Sequence, residues 1–188
     1  MEPTLKEYLD ELEKRYQAHY DVETYKTIAG TQIDIYAISI IEHFRHVLTK
    51  KIQIDHYQER EIILVKGFEQ YIKKEEIEFF LKYLVHANKE LVVPSFNIMS
   101  HAMNGIMVSS EGFSKEAIET AQRFKYGRTF CLGIKGWCDI RLLIIDLKNR
   151  DVYCNSKGLE VKSIYTFNRG HIHKGGDCVL KKKNNVYL

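Results

Sequence analysis

Gly30-Thr-Gln-Ile-Asp-Ile-Tyr-Ala37 is a short apolar run that contains one carboxylate. Ile62-Ile-Leu-Val-Lys66 repeats the pattern further along the chain and ends in a cation. Runs of this length that are rich in β-branched residues are typical of buried strands. A lone buried charge costs several kcal/mol, so we expect Asp34 and Lys66 either to pair with each other or to face a cleft.

The faces of these two strands follow from the alternation of their side chains. Residues two apart share a face, which places Asp34 with Tyr36 and Lys66 with Leu64. An Asp and a Lys on neighbouring strands are residue types that can hold a hydrolytic metal site. The two runs therefore leave two interpretations open, a structural ion pair and an active site.

The composition predicts one folded domain inside the cell. Of the 188 residues, 45% are hydrophobic and two are proline, which excludes a disordered chain. The net charge of +3 is compatible with a nucleic-acid partner but does not require one. No apolar run approaches the ~20 residues of a membrane span, and the N-terminus lacks the regions of a signal peptide. We therefore expect no membrane association and predict a cytoplasmic location.

The spacing of apolar residues predicts an α/β fold. Thr4 is an N-cap with Glu7 three residues on, and the helix that it begins extends to about His19. Further helices are predicted over 73–87 and 115–126. Strands are predicted over 22–28, 33–41, 61–66, 105–110, 130–134 and 140–147, with a strand extension and hairpin over 42–58 and an unassigned stretch over 91–104.

The character of the sequence changes after Leu147. Short alternating pieces rich in Lys and Gly replace the long helical and strand patterns. We therefore predict a main domain over residues 1–147 and a C-terminal β appendage over residues 148–188.

Three motifs, in this order, resemble the catalytic domain of Mrr-type restriction endonucleases, which belong to the PD-(D/E)XK nuclease superfamily. They are Gly-x-x-x-Asp-Ile-Tyr-Ala from Gly30, the apolar strand that ends at Lys66, and Gly-Ile-Met-Val-Ser-Ser-Glu-Gly-Phe-Ser-Lys-Glu-Ala-Ile-Glu-Thr-Ala from Gly105. The third is the most specific, because its strand, polar turn, Phe-Ser pair and helix follow the family's order. The resemblance covers about residues 1–147 and implies a restriction endonuclease-like core, a mixed β-sheet flanked by helices.

The resemblance also implies hydrolysis of double-stranded DNA with magnesium. In that chemistry an Asp, an acidic residue on the next strand and a backbone carbonyl bind Mg²⁺ or Mn²⁺, and a Lys polarises the attacking water. By position, Asp34 is the Asp, Val65 supplies the carbonyl and Lys66 is the Lys. The second acidic position is Leu64, which offers a metal no ligand. Since cutting two strands needs two sites, a homodimer is implied as well.

Three explanations of Leu64 stay open. In the first, the carboxylate has moved to the following helix, where Glu76 and Glu78 are candidates. In the second, Asp34 suffices for a weak site, with help through water from a glutamate of the first helix. In the third, the metal site is lost and the Asp and the Lys form an ion pair in a retained nuclease scaffold. The candidate catalytic residues are therefore Asp34, Lys66, Glu76 and Glu78, and the candidate metal ligands are Asp34, Val65, Glu76 and Glu78.

Two functions of different classes follow from this resemblance. The first is a metal-dependent endonuclease, and the alternative is a catalytically degenerate nuclease-fold protein that binds nucleic acid or a protein partner. A purely structural assembly module is a third. Two metal ligands converging near Asp34 would favour the enzyme, whereas an ion pair between Asp34 and Lys66 sealed by Leu64 would favour the degenerate protein. A basic groove would favour nucleic acid. For the serines of the third motif, turn and capping roles are expected ahead of phosphate contacts.

Overall fold

A computed structural model describes residues 3–46, 53–95, 98–133 and 136–167 of the chain. The helices are α1 (Leu5–Gln17), α2 (Lys74–Leu91), α3 (Lys115–Arg123) and α4 (Lys162–Tyr165). The strands are β1 (Asp21–Ile28), β2 (Thr31–His46), β3 (Gln53–Phe68), β4 (Ile98–Ser109), β5 (Gly127–Thr129), β6 (Trp137–Asp146) and β7 (Asp151–Cys154).

The strands of the described residues form one mixed sheet in the order β1-β2-β3-β4-β6-β5, with β7 also paired to β6. The first three strands are antiparallel neighbours. β3, β4 and β6 are parallel, because α2 and α3 carry the chain back across the sheet between them. This sheet with its flanking helices confirms the predicted α/β class and is consistent with a restriction endonuclease-like core.

Helices cover the two faces of the sheet and define two cores. α1 packs against one face through residues such as Leu5 and Leu12, whereas α2 and α3 pack against the other. On the second face, Gly105 of β4 lies directly under Leu84 of α2, where a Cβ would overlap the Leu84 side chain. Among the helices of the described ranges, none is both long and apolar enough to cross a membrane.

The start of α1 is the predicted one. The backbone N–H of Glu7 donates to the Thr4 hydroxyl, and the Thr4 N–H donates to the Glu7 carboxylate at 2.8 Å. This reciprocal pair satisfies two helix-end donors that would otherwise need water. It also lowers the pKa of the Glu7 carboxyl, because the bond from the Thr4 backbone favours the charged form.

The predicted strand over 130–134 is wrong. Residues Cys131–Gly133 form a single 3-10 turn, in which Cys131 and Leu132 both have positive φ angles. Two successive left-handed residues reverse the chain and are incompatible with a strand. The extended residues come earlier, in β5, and α3 stops at Arg123 to make room for them.

The two segments without a clear pattern belong to long strands. β4 begins at Ile98, inside the stretch 91–104 that periodicity left unassigned. β2 and β3 pair through most of the predicted extension and hairpin, while residues 47–52 at its turn lie outside the described residues. Both β2 and β3 are therefore much longer than their apolar runs indicated.

The described part of the predicted appendage packs on the main domain. β7 pairs antiparallel with β6, and the hydroxyls of Tyr16 on α1 and Tyr165 on α4 lie 2.8 Å apart. The Arg15 guanidinium donates to the Ile164 carbonyl at 3.1 Å. The division of the chain after Leu147 stays a prediction, because residues 168–188 lie outside the described residues.

The side chain of Asn155 closes a gap along the edge of β6, between the short strands β5 and β7. Its Oδ1 accepts from the N–H groups of Leu142 and Gly158 at 3.0 and 2.8 Å. Its Nδ2 donates to the carbonyls of Phe124 and Ile140 at 3.2 and 3.0 Å. Asn155 is 1% exposed, so one amide side chain replaces the strand that this stretch of edge lacks.

We predict that Asn155→Ala lowers the free energy of unfolding by about 3–4 kcal/mol, since it leaves four backbone groups without partners. Urea denaturation followed by circular dichroism measures the loss. As a control, Asn149→Ala at an exposed turn, where the side chain donates one hydrogen bond to Asp146, should cost about 1 kcal/mol or less. Equal losses in the two variants would contradict the role given to Asn155.

Candidate functional site

β2 and β3 separate at Asp34 and Lys66. The last residue pair between the two strands in this direction is Ile35 with Val65. Beyond it β2 continues beside β1 as far as Thr31, while β3 continues beside β4 as far as Phe68. We call the opening between the two diverging strands the fork.

The backbone is kinked at the fork. Tyr25 of β1, which lies across from Asp34, has φ +53° and is skipped in an otherwise continuous register. In β2, Ile33 packs on the α2 side, and so does Tyr36, whereas Ile35 packs on the α1 side. Strict alternation, from which we placed Asp34 with Tyr36, therefore does not hold through Asp34. A non-glycine residue in the left-handed region costs of order 1–3 kcal/mol and is often found at functional sites.

The carboxylate of Asp34 bridges the fork. Its Oδ2 accepts from the backbone N–H of Gly67 at 2.7 Å, and its Oδ1 lies 3.4 Å from the Lys66 ammonium. The two side chains are 17% and 24% exposed, respectively. Of the two interpretations of the sequence, the described contacts are those of an ion pair, with a charge-assisted bond to the backbone added.

The position of the missing carboxylate is closed to solvent. Leu64 has no exposed surface and belongs to the core under α2, and Tyr36 is its register partner on β2. Val65 next to it is also fully buried, in the core under α1. An apolar side chain thus occupies the place where the resemblance implies a metal ligand.

The glutamates of α2 do not join Asp34. Glu76 forms the first turn of the helix, where its Oε2 accepts from the Lys73 N–H at 3.0 Å. Glu78 pairs with Lys74 at 3.5 Å. Within the described ranges, no three His, Cys, Asp or Glu residues come together as a metal site. The residues predicted to bind magnesium do not fit the ion in this arrangement, and magnesium stays a prediction.

The glutamates of α1 are occupied locally as well. Glu7 belongs to the capping box, and Glu11 pairs with Arg15 at 2.6 Å. The serines of the third motif have the expected turn and capping roles. Ser114 accepts from the Ala117 N–H at the start of α3, and Ser109 donates to the Gln70 carbonyl at 2.8 Å.

A groove of about 330 Å³ lies between the fork and the first turns of α2. Lys66, Glu75 and Glu76 contribute polar groups to it, and its walls are largely aromatic, formed by Phe68, Phe79, Phe80 and Tyr83. Phe79 is 68% exposed, although Phe80 beside it is buried. Our sequence analysis missed this wall. The available signal was that Phe79 falls off the apolar face of α2, which includes Phe80.

Most of the positive charge around the fork is neutralised. Lys26 pairs with Glu23 at 2.7 Å, and its ammonium also lies over the ring of Tyr36. Lys74 pairs with Glu78, as described above. The fork therefore does not present the basic groove that would indicate a phosphate backbone.

A second set of polar side chains is buried at the other end of the same face. His101 of β4 is 1% exposed, and neither ring nitrogen has a hydrogen-bond partner among the described residues. Arg60 and Cys138 occupy the register positions on either side of it. Asn88 of α2 donates to the Cys138 sulfur at 2.9 Å. Burial, followed by the charge of Arg60, lowers the pKa of His101 to about 4.

Comparison with known proteins gives a family without an assigned activity. A family model described as "Domain of unknown function (DUF8052)" matches residues 4–167. No curated protein matches the chain. The chain is similar to the crystal structure of a repair endonuclease from Pyrococcus abyssi, with 12% identity and a TM-score of 0.37 over 65% of this chain. The match spans 44% of that structure, less than half of its length.

We predict that replacing Asp34 destabilises the fold more than replacing Lys66. Asp34→Ala leaves the Gly67 N–H and the Lys66 ammonium without their partner, at a cost of about 2–3 kcal/mol. Lys66→Met keeps the bond between Asp34 and Gly67 and should cost about 1 kcal/mol or less. Urea denaturation measures both variants. Lys74→Met, which removes an exposed ion pair, is the control, and a loss at Asp34 as small as at Lys74 would contradict this role.

We also predict that His101 makes the fold sensitive to acid. The unfolded chain binds a proton at this residue near pH 6.5, whereas the folded chain resists it until about pH 4. The free energy of unfolding should therefore fall as the pH decreases through this window, by about 2–3 kcal/mol in total. His101→Leu should remove this slope. Met103→Ala, a core substitution without a titratable group, should retain it, and an unchanged slope in His101→Leu would refute the assignment.

Proposed function

We propose that this chain, which belongs to the DUF8052 family, is a catalytically degenerate nuclease-fold protein that binds a protein partner. The observation that carries the proposal is the use of the Asp34 carboxylate. Both of its oxygens are engaged inside the protein, by Lys66 and by the Gly67 N–H. The neighbouring acidic position is a buried leucine, Leu64.

Free energy also opposes metal binding at this arrangement. A cation at Asp34 would displace Lys66 and the Gly67 N–H, which would lose their partner in a partly buried place. Magnesium prefers six oxygen ligands in a regular octahedron and is usually held by one or two carboxylates together with substrate phosphates. A single carboxylate already held by two donors is a poor basis for such a site.

The groove next to the fork favours a protein partner over nucleic acid. Affinity for nucleic acid comes chiefly from cations that neutralise phosphates, but Lys66, Lys26 and Lys74 each pair with a carboxylate. Exposed aromatic side chains such as Phe79 are typical anchors of protein interfaces. We therefore assign the groove to an apolar side chain of a partner protein.

One feature favours the alternative, a magnesium-dependent endonuclease acting on double-stranded DNA. Glu76 lines the same groove as Lys66, so a relocated carboxylate is present near the fork. Its Oε2 caps the first turn of α2 through the Lys73 N–H, and that bond would have to break before the carboxylate could serve as a ligand. Cleavage therefore stays a prediction that the following experiment tests.

We predict that the purified chain neither nicks nor retards supercoiled plasmid in Mg²⁺ or Mn²⁺ at physiological salt. Agarose gels of one set of samples report both effects, since nicking and binding change mobility differently. Asp34→Ala and Lys66→Ala serve as matched variants, with circular dichroism to show that they fold.

Each outcome of that assay has a clear meaning. Metal-dependent nicking that both variants lose would refute the proposal and identify an endonuclease, with Glu76→Gln as the next variant. Retardation without nicking would refute the assignment of a protein partner in favour of nucleic acid. No effect in wild type and variants alike is the result that the proposal predicts.

A further inference from the structure

Two stretches of sheet edge in this protein are protected against pairing with another strand. Along the edge of β6, β5, the Asn155 side chain and β7 follow one another. β1 is protected differently. It carries the charged residues Glu23 and Lys26 and is kinked at Tyr25. Charges and kinks of this kind are known devices against edge-to-edge association.

A third stretch of edge has neither protection. β1 ends at Asp21, which pairs with Ile38, but β2 continues to His46. The stretch Ser39–His46 pairs with β3 on its inner side. On its outer side, no strand of the described residues pairs with it. At about 3.3 Å per residue, this free edge is roughly 26 Å long.

The described side chains of the free edge are apolar where those of β1 are charged. Ile40 is 53% exposed and Ile41 is 44% exposed. Because they are neighbours on a strand, they project on opposite faces of the ribbon. An added strand would therefore find an apolar contact on each face. An open, apolar edge of this kind is the type that recruits another strand.

There is also room for an incoming strand. An opening of about 600 Å³ lies where β1 ends, between the turn Gln17–Asp21 and residues 38–40 of β2. A strand that runs along the outer edge of β2 would end in this opening, in line with the start of β1. The free edge is therefore accessible from outside as far as Ser39.

We propose that Ser39–His46 pairs antiparallel with the same stretch of a second copy of this chain. The two-fold axis passes between residues 42 and 43, so that Ser39 of each copy lies opposite His46 of the other. A copy is the occupant that fits, because the free edge ends at β1 on one side and at the end of β2 on the other. Equal lengths then fill both edges without overhang, as expected of an isologous interface. This surface is separate from the fork and does not depend on the function proposed for it.

The test is the mass of the protein in solution. Sedimentation equilibrium over a range of concentrations should give twice the chain mass for the wild type. The double variant Ile40→Lys and Ile41→Lys places charges on the edge and should give the mass of one chain. Val93→Lys and Leu159→Lys replace residues of similar exposure elsewhere and should leave the dimer intact. Circular dichroism shows whether each variant folds.

A second measurement needs no variant. Amide hydrogen exchange of the wild type should show protection of residues 39–42 at dimer concentrations and faster exchange after dilution. A wild type that stays monomeric throughout would overturn the proposal. So would a dimer that survives both lysines, or one whose residues 39–42 exchange at the same rate before and after dilution. A monomeric chain whose edge amides become protected on adding an extended peptide would assign the edge to a different protein partner.

Discussion

The carboxylate of Asp34 is the contact on which the rest of the candidate site depends. It holds β2 to β3 at the point where the two strands separate, by accepting the Gly67 N–H in place of a ladder hydrogen bond. Since a buried backbone donor without a partner is costly, this bond fixes where the fork opens. The Lys66 ammonium then compensates the charge that the bond requires inside the protein.

The same contact explains why a nuclease-like framework can persist without a metal. An active PD-(D/E)XK site, as the resemblance implies it, keeps its Asp available to a cation and supplies a second acidic residue. Here the Asp serves the backbone and Leu64 completes the core beneath α2. Its full burial means that restoring a carboxylate there would place a charge in an apolar environment. The groove beside the fork survives, and its aromatic walls suit binding better than hydrolysis.

Much of this arrangement was predictable, because apolar spacing and capping are local signals. Thr4 and Glu7 predicted the start of α1, and the two β-branched runs predicted the paired strands that carry Asp34 and Lys66. The kink was not predictable, since nothing marks Tyr25 as a left-handed residue. The turn at Cys131 was missed for the same reason. The part played by Asn155 depends on backbone groups from three other segments, which no local pattern can connect.

The most direct test of the account is whether a metal ion approaches Asp34 at all. Paramagnetic Mn²⁺ broadens the amide signals of residues close to it, so a titration of isotope-labelled protein followed by NMR maps any site. The account predicts that the signals of Asp34 and Gly67 keep their intensity through millimolar Mn²⁺. Selective broadening centred on these two residues, lost in Asp34→Asn, would contradict it and show that the fork binds metal after all.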